Sequence, residues 1–220
     1  MKIGIVSAME LEIQPLIDRL APVQKFEYLG RKFYVSNQGI HQFILLCSGQ
    51  GKTNSSIYTQ VLLEKFSPEL VLNIGICGGI SSDSSLSDIY LGKNYCHYDV
   101  RKKKSQLKFP YQLFYEADKN ILHSFSKHDP SLKIGTFGTG EGFVTTSEQR
   151  TSLINDFHID CVDMESASIA QCCFLNKISF LSIRIVSDKA NSQAITIGEM
   201  KQKKLMSKIF TLICFIYKIE

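Results

Sequence analysis

The sequence predicts an α/β fold: a three-layer αβα sandwich around a central mixed β-sheet, formed by one domain over residues 1–220. Short apolar or β-branched runs alternate with amphipathic stretches along the whole chain, as they do when helices cover the faces of a mostly parallel or mixed sheet. Glycine and polar clusters fall where those apolar runs end. No internal repeat, low-complexity tract or linker divides the 220 residues, a length that suits one large domain better than two.

Taken in order, residues 2–7 form a β-branched run that predicts a strand, and Glu10 to Leu20 has helical spacing, with Pro15 in the early turns where proline costs least. Arg31 to Ser36 and His41 to Cys47 read as two strands joined at Asn37-Gln38-Gly39. A helix is expected from Thr53 to Phe66, then a buried-type strand from Leu70 to Ile74 that runs straight into Gly75-Ile76-Cys77-Gly78-Gly79, either a tight strand-to-helix turn or a place where the backbone closes on a ligand. Asp88 to Tyr95 predicts another strand, and 99–116 is the least regular region. Asp118 to Lys127 predicts a helix, Ile134 to Thr139 a strand, Ser147 to Phe157 a helix and Ile159 to Asp163 a short strand. Met164 to Leu175 has helical spacing, Ile178 to Val186 is rich in β-branched residues, and a last helix is expected over 196–217.

Composition removes several function classes. The net charge of +4 is mild. The basic run Arg101-Lys102-Lys103-Lys104 and the lysines of 201–208 read as a solvated loop and helix face. No basic footprint with interleaved aromatics indicates nucleic acid. The seven cysteines have no CxxC pair or framework spacing, and the five histidines no ligand-like spacing, so no metal is expected. Cysteines in apolar surroundings read as buried free thiols in a reducing, cytoplasmic setting. The opening apolar stretch is too short to be a signal peptide, and the run Ile209 to Ile216 too short to span a membrane.

In open α/β sheets, ligands bind outside the carboxyl ends of the strands. Five polar segments fall at such ends here: Met9 to Glu12, Ser48 to Gly51, Gly75 to Gly79, Met164-Glu165 and Ser187-Asp188. Each acid has a plain local reading. Glu12 and Glu165 suit the first turn of a helix, and Asp188 could cap a turn. Arg184, inside an apolar strand, needs carboxylate partners if buried. It could serve a pocket or a structural ion pair. Gly49-Gln50-Gly51-Lys52 lacks the spacing of a phosphate loop, and GxGxxG is absent, so neither a nucleoside triphosphate nor a dinucleotide cofactor is indicated.

Together these segments resemble the nucleoside phosphorylase superfamily, and within it the hydrolytic 5′-methylthioadenosine/S-adenosylhomocysteine nucleosidases. Four motifs carry the resemblance, in order and at matching separations. Ile3 to Glu12 is like the family's GI-x-x-AMxxE, and Ser48 to Asn54 is like its SGxGKxNA. Val162 to Gln171 is like V[ED]MExxAIA, and Arg184 to Asp188 is like RxxSD. The resemblance runs from Met1 to about Asn191 and implies a nucleoside phosphorylase-like fold, a purine nucleoside substrate, water as co-substrate, no cofactor and a homodimer.

It also implies roles. Asp188, held by Ser187, would carry a proton to purine N7, and Glu12 would orient and deprotonate the water. Glu165 would bind the ribose hydroxyls, with Met164 against the sugar. Phe143 would stack on the base, whose edge the Val144 backbone would read. Arg184 would position water and acids, and Met9, Gln50, Cys77 and Gly78 would line the pocket. Such chemistry is physically coherent. Cleaving an N-glycosidic bond builds an oxocarbenium-like sugar that carboxylates stabilise. The leaving base needs an acid kept protonated by burial or by neighbouring negative charge.

Two departures mark the chain. Ile76 stands where the family usually has a small or hydroxyl residue, and the family's HDADV is reduced to His97-Tyr98-Asp99-Val100, followed by a short basic segment. Both bear on the 5′ side of the substrate. The expected activity is release of adenine from 5′-methylthioadenosine, S-adenosylhomocysteine or 5′-deoxyadenosine. The alternatives are hydrolysis of futalosine or 6-amino-6-deoxyfutalosine in menaquinone synthesis, phosphorolysis, and a non-catalytic nucleoside-binding regulatory module.

Overall fold

A computed structural model describes residues 1–100, 108–190 and 199–219. In chain order the elements are β1 (Lys2–Ser7), α1 (Glu10–Leu20), β2 (Gln24–Tyr28), β3 (Arg31–Gln38), β4 (His41–Cys47), α2 (Lys52–Phe66), β5 (Leu70–Gly79) and β6 (Ile89–His97). They continue with β7 (Tyr115–Glu116), α3 (Lys119–His128), β8 (Lys133–Thr139), α4 (Ser147–Phe157), β9 (Cys161–Asp163), α5 (Ser166–Asn176), β10 (Ser179–Asp188) and α6 (Glu199–Tyr217). The fold is the expected mixed α/β sandwich.

The sheet runs β2-β3-β4-β1-β5-β10-β6-β8-β9, with β7 on β6, and then closes on itself. β5 pairs in parallel with β1 from Leu70 to Asn73 and with β10 along most of its length. Beyond the end of β1, Gly78 and Gly79 pair with Val162 and Cys161 of β9. Five strands, β5, β10, β6, β8 and β9, thereby form a ring, and β1, β4, β3 and β2 extend from it as an open sheet.

Helices α1 and α6 pack on each other, as do α2 and α5, and each pair contacts the strands. The contact between β1 and α2 is close because Gly4 has no side chain, and a β-carbon there would lie 2.7 Å from Leu62. Tyr217, near the end of α6, is wedged edge-on against Phe43 and Phe125. Local chemistry starts the helices: Asp118 accepts from the amides of Asn120 and Ile121 at the head of α3, and Thr146 with Gln149 closes a capping box on α4.

Several expectations are corrected. The glycine segment 75–79 is not a turn, because β5 continues through it to Gly79. Asp188 ends β10 after a bulge rather than lying in a loop. Helix α5 starts at Ser166, with Glu165 at its N-cap. The last helix is described over Glu199–Tyr217, in line with the expected 196–217; residues 196–198 and the basic run 101–104 lie outside the described ones. Strands β2 and β7 are additions. All seven cysteines are free and five are buried. Among the described residues no helix is long and apolar enough to cross a membrane.

Candidate active site

The carboxyl ends of β1, β4, β5, β9 and β10 converge on a cavity of about 320 Å³, within the size range of small-molecule sites. All twelve residues singled out from the sequence line it.

Glu12 reaches the cavity because α1 begins directly after β1. Its buried carboxylate turns back on the helix start: Oε2 accepts from Ser7 Oγ at 2.7 Å and from the Met9 amide at 3.1 Å. Oε1 accepts from the Ile76 amide at 3.0 Å. Three donors, from the end of β1, the start of α1 and β5, fix one acid, which lies in the first turn of α1 and lines the cavity.

Arg184 is 1% exposed and is satisfied from several sides. Nη2 donates to Asn73 Oδ1 at 2.8 Å and to Glu165 Oε2 at 3.2 Å, and Nη1 donates to the Ile76 carbonyl at 3.1 Å. Nε stands 3.4 Å from Asp163 Oδ2. Room for the guanidinium comes from Gly75, its partner in the β5–β10 ladder. Arg184 is thus both a structural ion-pair partner and part of the cavity wall.

Glu165 is held from the opposite side by the Gly51 amide, at 3.1 Å from Oε1. Gly51 has φ +91, a left-handed backbone that favours glycine. Asp163 then fixes the start of α5, its Oδ1 accepting from the amides of Glu165 and Ser166 and from Thr139 Oγ1. One arginine among several carboxylates sets the electrostatics. Burial pushes the Glu165 carboxyl up to about 7, with Asp163 and Glu12 adding to the rise and Arg184 opposing it. Burial draws Arg184 down, but Asp163, Glu165 and Glu12 outweigh it and hold the guanidinium above its ordinary value.

Asp188 faces two donors: Ser187 Oγ lies 2.8 Å from Oδ2, and the Ala190 amide 2.8 Å from Oδ1. Ser187 Oγ is also 3.1 Å from the Cys77 carbonyl. Its single hydrogen can point to an ionised Asp188, or to Cys77 while the oxygen accepts from a protonated Asp188. The pair accommodates either protonation state without moving.

Across the cavity, Phe143 exposes 72% of its surface. Its loop is tied down by Glu141, whose amide donates to Asp99 Oδ2 at 3.1 Å and whose Oε1 accepts from the Lys52 amide at 2.9 Å. Lys52 Nζ in turn binds Asp99 at 2.6 Å. The lysine of Gly49-Gln50-Gly51-Lys52, the segment that lacks phosphate-loop spacing, is therefore committed to a carboxylate. His97 bonds Gln171 at 3.1 Å and does not line the cavity.

Sequence reasoning missed Asp163, Tyr98, Ala190 and Gln202, all of them lining residues. Asp163 sits inside a recognised motif and was signalled there. Gln202 lies on a helix far along the chain and carried no signal. Among the described residues no His, Cys, Asp or Glu cluster could hold a metal ion.

The strand-end cavity and its carboxylates define a class, the phosphorylase superfamily, whose family model matches residues 2–209. Over 220 residues the chain is 32% identical to the 5′-methylthioadenosine/S-adenosylhomocysteine nucleosidase of Staphylococcus epidermidis, with 96% of each chain covered. It is 32% identical over 210 residues to the enzyme of that name from Listeria welshimeri, covering 88% of this chain and 89% of the relative. The chain belongs to the 5′-methylthioadenosine/S-adenosylhomocysteine nucleosidase family and is a hydrolase of purine nucleosides. The S-adenosylhomocysteine nucleosidase of Streptococcus pyogenes, solved with 5-methylthiotubericidin, matches with a TM-score of 0.88 at 26% identity, over 97% of this chain and 96% of that one. A futalosine hydrolase mutant of Helicobacter pylori shares the fold, with a TM-score of 0.92 at 22% identity over 99% of each chain.

Proposed function

We propose that the chain hydrolyses the N-glycosidic bond of 5′-substituted adenosines, 5′-methylthioadenosine and S-adenosylhomocysteine foremost and 5′-deoxyadenosine as a smaller substrate, and releases adenine. The carrying observation is one cavity in which Glu12, Glu165 and Asp188 face a space whose sole cationic lining residue, among those described, is an Arg184 already engaged by Asp163 and Glu165.

In this reading the base lies against Phe143 and beside Asp188, which gives N7 its proton while Ser187 turns its hydroxyl to follow. Loss of the base as a neutral leaving group lowers the barrier to bond cleavage. The ribose hydroxyls donate to Glu165. The developing positive charge on the sugar meets Glu12, which takes a proton from the attacking water. The same carboxylates disfavour inorganic phosphate as nucleophile. The cation nearest the helix start, Lys52, is neutralised by Asp99, which supports hydrolysis over phosphorolysis.

The test is adenine release from the three adenosines in phosphate-free buffer and again with added phosphate. The expected result is release at the same rate in both, with a free 5′-substituted ribose as co-product. Dependence on phosphate, or a sugar 1-phosphate product, refutes hydrolysis. Binding without turnover points to the regulatory reading. The reading includes a homodimer, checked by sedimentation equilibrium.

A further inference from the structure

The segment 140–146, between β8 and α4, carries Phe143 and Val144. Gly142, Phe143 and Val144 line two cavities at once: the strand-end cavity of about 320 Å³ and a second of about 470 Å³, closed on its other side by Glu148 and Leu153 of α4. Packing does little for the tip of this segment. Phe143 is largely exposed, and a β-carbon on Gly142 would meet nothing within 4 Å. Hydrogen bonds must therefore set where it stands.

The ends of the segment are tied. The Gly140 amide donates to the Asp163 carbonyl at 3.1 Å, Glu141 is held by Asp99 and Lys52, and the amides of Thr145 and Thr146 donate to Gln149 Oε1. Between them, over Gly142, Phe143 and Val144, the described residues provide one hydrogen bond: the Tyr98 hydroxyl donates to the Gly142 carbonyl at 3.0 Å. The chain makes room for that tyrosine. A β-carbon on Gly138 would lie 3.1 Å from its ring, and one on Gly140 would overlap it. The ring also packs against the buried cluster that contains Val144. Burial, then the charges of Asp99 and Asp163, push the phenol above its ordinary value, so the hydroxyl stays a donor. Tyr98 falls in His97-Tyr98-Asp99-Val100, where this chain departs from its family's pattern.

We infer that Tyr98 is a positioning residue for recognition of the base: its hydroxyl holds the Gly142 carbonyl and so sets Phe143 and Val144 against the purine. The inference rests on the function proposed above, which lays the base against Phe143. The acids on the sugar side are fixed by other groups. Glu165 takes its hydrogen bonds from Gly51 and Arg184, and Glu12 from Ser7, Met9 and Ile76. Loss of the Tyr98 hydroxyl should therefore weaken the grip on the base and leave the grip on the sugar intact.

The experiment splits the substrate into its two products. Adenine and 5-methylthioribose are each tested as inhibitors of 5′-methylthioadenosine hydrolysis by the natural chain, Tyr98→Phe and Tyr98→Leu. Tyr98→Phe keeps the ring on Gly138 and Gly140 and removes only the hydroxyl, so its melting temperature should change little. Its Ki for adenine should rise about fivefold, as for one lost hydrogen bond, while its Ki for 5-methylthioribose stays within about twofold. KM for 5′-methylthioadenosine should rise with the adenine Ki, and kcat should change less. Tyr98→Leu, which also removes the ring, should weaken adenine further, by tenfold or more. An unchanged adenine Ki in Tyr98→Phe overturns the inference. Equal weakening of both products also overturns it, because that is general loosening of the site. Failure of the natural chain to release adenine at all overturns the nucleosidase reading, and this inference with it.

Discussion

Gly75 and Arg184 face each other across the β5–β10 ladder, and the side chain absent from one is the space that the guanidinium of the other fills. A β-carbon on Gly75 would also lie 2.9 Å from Glu12 Oε1. One backbone position therefore sets the arrangement of an arginine and an acid that come from separate segments. Gly75→Ala should destabilise the fold by about 1–3 kcal/mol through overpacking and reduce kcat/KM by about a hundredfold through displacement of both groups. Thermal melting and adenine release check the two effects, and a fully active Gly75→Ala enzyme refutes the spatial account.

Asp188→Asn keeps the shape and the bond to Ser187 but removes the transferable proton. Adenine release should drop by about 10²–10⁴-fold, the usual worth of a positioned acid, with the melting temperature little changed. Turnover at the natural rate contradicts the leaving-group role.

Glu165 links stability to pH. Its carboxyl is raised from an ordinary value of 4.5 to about 7 by burial, so between those values the folded state holds a proton that the unfolded state has released. Stability therefore falls as pH rises through this window, by about 3 kcal/mol at most, and is greatest below pH 4.5 for this group alone. Glu165→Gln replaces the titrating group and also disturbs the pairing with Arg184. That disturbance is an offset, whereas the prediction concerns the slope. Denaturant unfolding at pH 5 and pH 8 should show a smaller loss for the variant, and equal losses in both proteins refute the assignment.

The Lys52–Asp99–Glu141 cluster ties the Phe143 loop to the start of α2. Lys52 and Asp99 are partly exposed at 22% and 29%, so their ion pair should contribute only about 0–1 kcal/mol to stability. Asp99→Asn should leave melting almost unchanged yet raise KM several-fold by loosening Phe143, the proposed stacking surface for the base, with a smaller effect on kcat. Steady-state kinetics separate the two. An unaltered KM removes Asp99 from loop positioning.

The alternation of elements and the four motifs were legible because each rests on local chemistry: apolar runs, helix starts and glycines near strand ends. What could not be read depends on neighbours distant along the chain. β2 (Gln24–Tyr28) is exposed at every residue, so its Phe26 and Tyr28 mark no buried face and it owes its shape to pairing with β3. The glycines of 75–79 resemble a turn in one dimension. In three, Arg184, Asp188 and Ser84 press on an extended strand at Gly75, Gly78 and Gly79, where no side chain opposes them. Asn73 looks like a polar interruption in a buried strand, but it accepts from Ser182 and Arg184 while donating to Val6. Gln202 reaches the cavity only because α6 folds back onto α1.

The closure of β5, β10, β6, β8 and β9 into a ring gives the catalytic end of the molecule a different manner of coming apart from the rest. An open sheet can lose its outermost strand first, and β2, paired on one side only, is placed to do so. A ring offers no such starting point. The amides of β5 and β10 that position Arg184 and Asp188 should therefore exchange with solvent only when the whole domain opens, while those of β2 exchange early. The part of the site carried by β5, β9 and β10 should therefore be among the last to yield, and mild heat or denaturant should fray β2 well before activity declines.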